Sequence, residues 1–267
     1  MKILKDSGWE IISYAGADKI IQNDFKEKFS EIENILLSFK ISQMEIMCEG
    51  GGKHPIVKRL SQLLNSILGQ EVSFKSTIVT TIRDERVVGT VDEAVSHKVD
   101  FFHQGEKKNL GLELEWNSKV LAYERDIMNF RRLFFNSAIS VGIVITRGES
   151  LDSNLLSLCE NFFKTRINAN DWPSSIKSIQ TELSSYKDSN NNHLKFKTFT
   201  PTQIKQINVS IDSGLEPYKA IARNYFQQKW RGQTSHIDSL VERIERGGFQ
   251  GIPFLLIGIP DKAVDLN

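Results

Sequence analysis

Two strand-length runs of this chain carry almost no polar side chain, and they lie far apart in the sequence. The first is Ser140-Val141-Gly142-Ile143-Val144-Ile145-Thr146. The second is Ile252-Pro253-Phe254-Leu255-Leu256-Ile257-Gly258-Ile259. Continuous apolar runs of this length are usually strands buried on both faces. Strands of that kind need helices above and below, so the expected architecture is α/β, a mixed central β-sheet flanked by helices on both faces. The chain has 267 residues, 40% of them hydrophobic, enough for a real core in one large domain or one domain with an elaboration.

Helical periodicity fits this plan. Ile20, Ile21, Phe25, Phe29, Ile32 and Leu36 predict a helix over 17–40. A turn is expected at Gly50-Gly51-Gly52, after which Pro55 opens a second helix where its missing N–H costs nothing. From 71 to 116 the pattern is β: a run over 72–79, a possible strand around Val87, Val88 and Val91, then 97–102, a polar turn at 104–109, and 110–116. Ser118 is a plausible N-cap for a helix to about Asn136, with Val120, Tyr123, Ile127, Phe130 and Phe134 on one face. Further on, helices are expected at 153–166 and 216–230, a possible strand at 194–199, and a short amphipathic helix bearing Ile237, Leu240, Val241 and Ile244.

Alternation within 110–116 decides what its acids can do. Residues two apart on a strand point to one face, so Glu113 and Glu115 project together while Leu110, Leu112 and Leu114 face the core. Two adjacent carboxylates repel unless a cation neutralises them. Asp100, on the preceding strand, can bring a third to the same end of the sheet. Hard oxygen ligands of this sort suit Mg²⁺, and a metal so held neutralises a phosphate and activates water for phosphodiester hydrolysis. The plainer alternative is a solvated edge strand with Glu on its outer face.

Charge and cysteine content narrow the classes. Net charge is only +1, far below that of a protein that coats polyanions. Lys164 to Arg231 nevertheless holds 11 Lys/Arg against 5 Asp/Glu, a local excess of +6. Cys48 and Cys159 lie in no CxxC or Cys/His cluster and read as reduced, buried thiols. The opening MKILKDSGWE lacks an apolar signal core, and no stretch approaches roughly 18 apolar residues, so a cytoplasmic protein with no membrane segment is expected.

The segments VDFF…LGLELEWNSKVLAYERDIMNF, SVGIVITRG and ERIERGGFQGIPFLLIGIP together resemble the PD-(D/E)xK nuclease superfamily. More narrowly, they are similar to the BamHI, BglII and BstYI group of type II restriction endonucleases. The resemblance implies a restriction-endonuclease-like core, a homodimer acting on double-stranded DNA, and Mg²⁺-dependent double-strand cleavage at a short palindromic site with 5′-phosphate ends. It casts Asp100 and Glu113 as metal ligands, adds the backbone carbonyl of Leu114, and places Glu115 where many relatives have Lys. Glu115 would orient or activate the water and join the metal set.

Val99 stands where the motif has Pro, and the stretch from Thr146 to His236 exceeds the group's usual connection. Residues 151–231 are therefore expected to be an insertion for recognition or dimerisation within a single 1–267 domain. An auxiliary acid on an early helix would be Glu49, which otherwise reads as an exposed surface residue. Asn117, Ser118, Lys119 and Arg125 are the expected DNA contacts, with simple capping as the alternative for Ser118. His54 and His97 have no visible partner and read as structural or exposed. Other nucleases of the superfamily (repair or nicking) and a non-cleaving DNA-binding protein on the same scaffold are the competing readings.

Overall fold

The two apolar runs are neighbouring parallel strands, with Phe254 beside Gly142 and Ile259 beside Arg147. The computed structural model describes residues 1–266 except 50–52, 75–79, 83–84, 88–96, 118–119, 188–190, 192, 197 and 231–234. The expected Gly50-Gly51-Gly52 turn, the ends of the β runs at 75–79 and 88–91, and the Ser118 cap lie outside the described residues.

The chain opens with α1 (Lys2–Asp6), β1 (Glu10–Ser13), α2 (Ala17–Asp24), α3 (Lys26–Ser38), β2 (Ile41–Ser42), α4 (Gln43–Met47) and α5 (Pro55–Leu68). Short strands follow: β3 (Val72–Phe74), β4 (Thr80–Ile82), β5 (Glu85–Val87), β6 (His97–Val99), β7 (Phe101–Gln104) and β8 (Asn109–Leu114). After α6 (Val120–Phe135) and β9 (Val141–Arg147) come α7 (Glu149–Lys164), α8 (Trp172–Ser185), α9 (Pro201–Asp212), α10 (Pro217–Lys229) and α11 (Ile237–Arg246). The chain ends with β10 (Phe254–Ile259) and β11 (Val264–Asp265). No described helix is long and apolar enough to cross a membrane.

The main sheet has the order β1-β10-β9-β8-β7. Its three inner strands are parallel, and both edge strands run antiparallel to their neighbours. Strand alternation divides the core in two. Leu110, Leu112, Leu114, Ile143, Ile145, Leu255 and Ile257 pack with Ile21, Phe29, Leu60, Phe162 and Tyr225 from the helices of one face. Val144, Phe254 and Leu256 pack with Tyr123, Ile127, Phe130, Leu240 and Ile244 from α6 and α11 on the other.

A pair of glycines seats α6. Gly111 and Gly142 are register partners on β8 and β9. A Cβ on Gly111 would lie 2.8 Å from Phe130, and one on Gly142 would lie 2.9 Å from the same ring. The missing side chains form the floor on which Phe130 rests. Gly142→Ala is expected to displace that ring and destabilise the protein by about 1–3 kcal/mol. Denaturant unfolding checks this, and a loss under about 0.5 kcal/mol would show that the ring is not tightly seated.

Several expectations are corrected. The helix predicted over 17–40 is two helices. At Phe25 (φ −134°) the chain leaves helical geometry and buries the ring, edge-on to His103 at 6.2 Å. The run 97–102 is also two strands, because the chain changes partner at Asp100: β6 pairs with β3, and β7 pairs with β8. The stretch 194–199 forms no strand among its described residues. Leu194 and Phe196 alternate because their side chains are buried, and Phe196 stacks on Tyr225 at 5.1 Å. Four of the described helices escaped the sequence reading, the short α1 and α4 and the longer α8 and α9, although the last two each carry a start signal. Asp171 caps α8 by accepting from Ser174 N–H, Thr200 and Gln203 form a capping box on α9, and both have Pro in the first turn.

Candidate active site

The carboxylates sit at the carboxyl end of β8, on the face covered by α6. Leu110, Leu112 and Leu114 enter the opposite core, so Glu113 faces α6. The ladder continues one residue past the strand: Glu115 N–H donates to the Ile145 carbonyl at 2.9 Å. Glu115 therefore keeps the alternation. Both acids are buried, at 5% and 7% exposure.

Asp100 is held at the point where the chain changes sheets. Its Oδ2 accepts from Leu114 N–H at 3.2 Å, and its own N–H donates to Glu113 Oε2 at 3.4 Å. Backbone groups freed by the strand break are satisfied by acid side chains, which ties Asp100 to Glu113. Burial, followed by the charges of Asp100 and Asp126, pushes the Glu113 carboxyl up to about 10.

Asp126 was not singled out from the sequence. It lies on α6 at 3% exposure, among the inward-facing Tyr123, Ile127 and Phe130. Burial raises its carboxyl, opposed by a hydrogen bond with Glu115 and by the Arg125 charge. Arg125 Nε and Nη2 lie 3.1 and 3.0 Å from its Oδ1. The available signal was an acid on the apolar stripe of an amphipathic helix, where a buried charge is unusual. The Tyr123 hydroxyl lies 2.6 Å from Thr146 Oγ1, which donates to the Ser235 carbonyl at 3.1 Å, and this chain anchors the helix to the end of β9.

The acids thus form two contacting pairs, Asp100 with Glu113 and Glu115 with Asp126. Among the described residues, no three His, Cys, Asp or Glu side chains are arranged to hold a metal ion. The donor chemistry nonetheless fits a hard divalent cation. The oxygens are carboxylate, they are buried, and Glu113 retains a proton where a cation would replace it.

The other predicted residues are distributed around this centre. Asn117 follows the buried Trp116 and is half-buried, and its Oδ1 accepts from Arg147 Nη1 at 3.2 Å. Arg147 is fully buried, paired with Asp152 at 3.0 Å and flanked by the Trp116 and Trp230 rings at 5.9 and 5.0 Å. The Arg125 side chain is 68% exposed. Ser118 and Lys119 lie outside the described residues.

Glu49 is exposed, and its charge acts on Lys229 and Tyr225, which belong to the opposite face of the sheet. His54 is buried beside Cys48 (3.8 Å) and Trp116, and burial and the Lys229 charge hold it well below the usual imidazole range. The side chain of His97 lies outside the described residues. Cys48 and Cys159 are free and buried.

A family model described as "Restriction endonuclease BglII/BglIII" matches residues 9–259, from just before β1 to the end of β10. No curated protein and no solved structure matches the chain.

Proposed function

Since the chain belongs to the BglII/BglIII restriction endonuclease family, we propose that it is a type II enzyme cutting both strands of DNA at a short palindromic site. The reading includes Mg²⁺ as cofactor, 5′-phosphate ends, a homodimer and a cytoplasmic location. The observation that carries it is the contact of Asp100 with Glu113 at the end of β8, with Glu115 and Asp126 on the same face.

In this reading Asp100, Glu113, Glu115 and the carbonyl of Leu114 hold the metal. When bound, Mg²⁺ supplies positive charge to the scissile phosphate and acidifies a water molecule. The protein's own groups do the rest. Glu115 takes a proton as the water oxygen bonds to phosphorus; the P–O3′ bond breaks, and the leaving oxygen is protonated from solvent. Arg125, exposed beside the acids, meets a backbone phosphate. Arg147 occupies the Asn117 carbonyl oxygen, which leaves the amide N–H groups to donate to a base acceptor. The helices spanning 151–231, with their excess of positive charge, serve recognition or dimerisation.

The test is digestion of a sequenced phage DNA with Mg²⁺, followed by sequencing of the fragment ends. Double-strand ends at one palindrome support the reading. Single-strand nicks would instead indicate a repair or nicking nuclease, and binding without cutting a non-cleaving protein.

A palindrome has two-fold symmetry and each strand needs its own active centre, so the protein is expected to be a dimer. Light scattering should give twice the 30.4 kDa chain mass. A monomeric mass both free and on cognate DNA would overturn the two-centre reading.

A further inference from the structure

Asp126 is an expensive residue to keep where it is. It is 97% buried, taking its 3% exposure, and its Oδ2 has no hydrogen-bond partner among the described residues. Its neighbours include acids: the charges of Asp100 and Glu113 interact with it, and the Glu115 carboxyl hydrogen-bonds to it. An orphaned, buried carboxylate oxygen beside like charges costs stability. Leucine or alanine would favour the helix and pack against Tyr123, Ile127 and Phe130 without that cost. Among the described residues the cation on Asp126 is Arg125, and most of the Arg125 side chain is in solvent. Asp126 therefore stands between an exposed cation at the rim and a carboxyl at the centre.

We propose that Asp126 is a positioning residue of the nuclease centre, holding the Glu115 carboxyl in place and linking it to Arg125. The assignment rests on the nuclease reading above. Two contacts made by one carboxylate explain its place on the apolar stripe of α6: the helix anchored by Phe130 and Tyr123 delivers it to Glu115 from the side opposite β8. Arg125 drawn to a backbone phosphate pulls on the same carboxylate, so arrival of DNA at the rim is felt at Glu115.

Asp126→Asn keeps the shape and removes the charge. Single-turnover cleavage is expected to fall about 100-fold, while DNA binding in Ca²⁺ stays within about threefold. The thermal midpoint of the metal-free protein should hold or rise, because a buried charge with an orphan oxygen has gone. A residue that merely supported the fold would lower that midpoint when replaced.

The decisive measurement is a double-mutant cycle with Glu115→Gln. If Asp126 works through Glu115, adding Asp126→Asn to Glu115→Gln costs less than about threefold in rate. Cleavage by Asp126→Asn within about threefold of wild type would overturn the proposal, as would fully additive losses or a rate loss that tracks a lowered thermal midpoint. Glu113→Ala serves as the control. If the wild-type protein does not cut DNA, the nuclease reading itself fails; if Glu113→Ala cuts normally, the carboxylate centre on which the assignment rests is misplaced; if Glu113→Ala is inactive while Asp126→Asn is normal, only the Asp126 assignment fails.

Discussion

Glu113→Ala is expected to abolish metal-dependent cleavage, by at least about 10³-fold in single-turnover rate, while the protein remains folded. The side chain is buried, contacts the Asp100 N–H, and is the acid whose proton affinity is raised most clearly by its surroundings. Without it the proposed ligand set keeps Asp100, Glu115 and the Leu114 carbonyl but loses the carboxylate that joins them at the end of β8. DNA binding should survive or tighten, because an anion near the phosphate has been removed. Cleavage within about tenfold of wild type would exclude Glu113 from the centre.

The same residue gives the metal-free protein a characteristic pH dependence. The folded protein holds the Glu113 proton to about pH 10, whereas the unfolded chain releases it near the ordinary value of 4.5. Between those values the folded state is the more protonated one, so stability falls as pH rises through the window. Glu113→Gln, which keeps the shape but cannot ionise, should flatten that decline. Thermal melts in chelator from pH 5 to 9 measure it. An identical slope in the two proteins would show that Glu113 ionises as freely folded as unfolded.

The second large effect is expected at Glu115, where the superfamily more often has lysine. Glu115→Lys restores the commoner motif but should impair cleavage severely and raise the Mg²⁺ requirement, with Glu115→Gln retaining more activity. The reason is local. Glu115 hydrogen-bonds to Asp126, and Asp100 and Glu113 form the next pair, so an introduced ammonium would ion-pair within the acid set. It would take up the negative charge that a cation needs and repel that cation directly. Two like unit charges about 4 Å apart cost about 4 kcal/mol at an effective dielectric near 20, roughly a thousandfold in binding. The metal-free variant should be at least as stable as wild type, since the ammonium relieves carboxylate repulsion. Single-turnover rates across a Mg²⁺ titration, with thermal melts in chelator, separate these effects. Wild-type rates at unchanged Mg²⁺ demand would remove Glu115 from the catalytic set.

Local periodicity alone determined much of this protein. Alternation along 110–116 put Leu110, Leu112 and Leu114 on one face and the glutamates on the other, because a pleated strand has no other way to place them. The uncharged runs that became β9 and β10 lacked the polar residues an exposed strand needs, so their central position followed from composition. Pro55 marked the first turn of its helix because that position needs no donor.

Tertiary structure decided whatever depended on a partner distant in sequence. Asp100 meets Glu113 because the chain exchanges β3 for β8 at that point, and the exchange frees backbone groups for acid side chains. Phe25 broke a helix that its periodicity would have continued, because its ring had a place in the core. Phe196 mimicked a strand because alternate burial needs only an extended chain, not a ladder. Asp126 looked like one more charged helix residue. It faces Glu115 because Phe130 rests on two glycines from different strands, a contact absent from any local stretch of sequence.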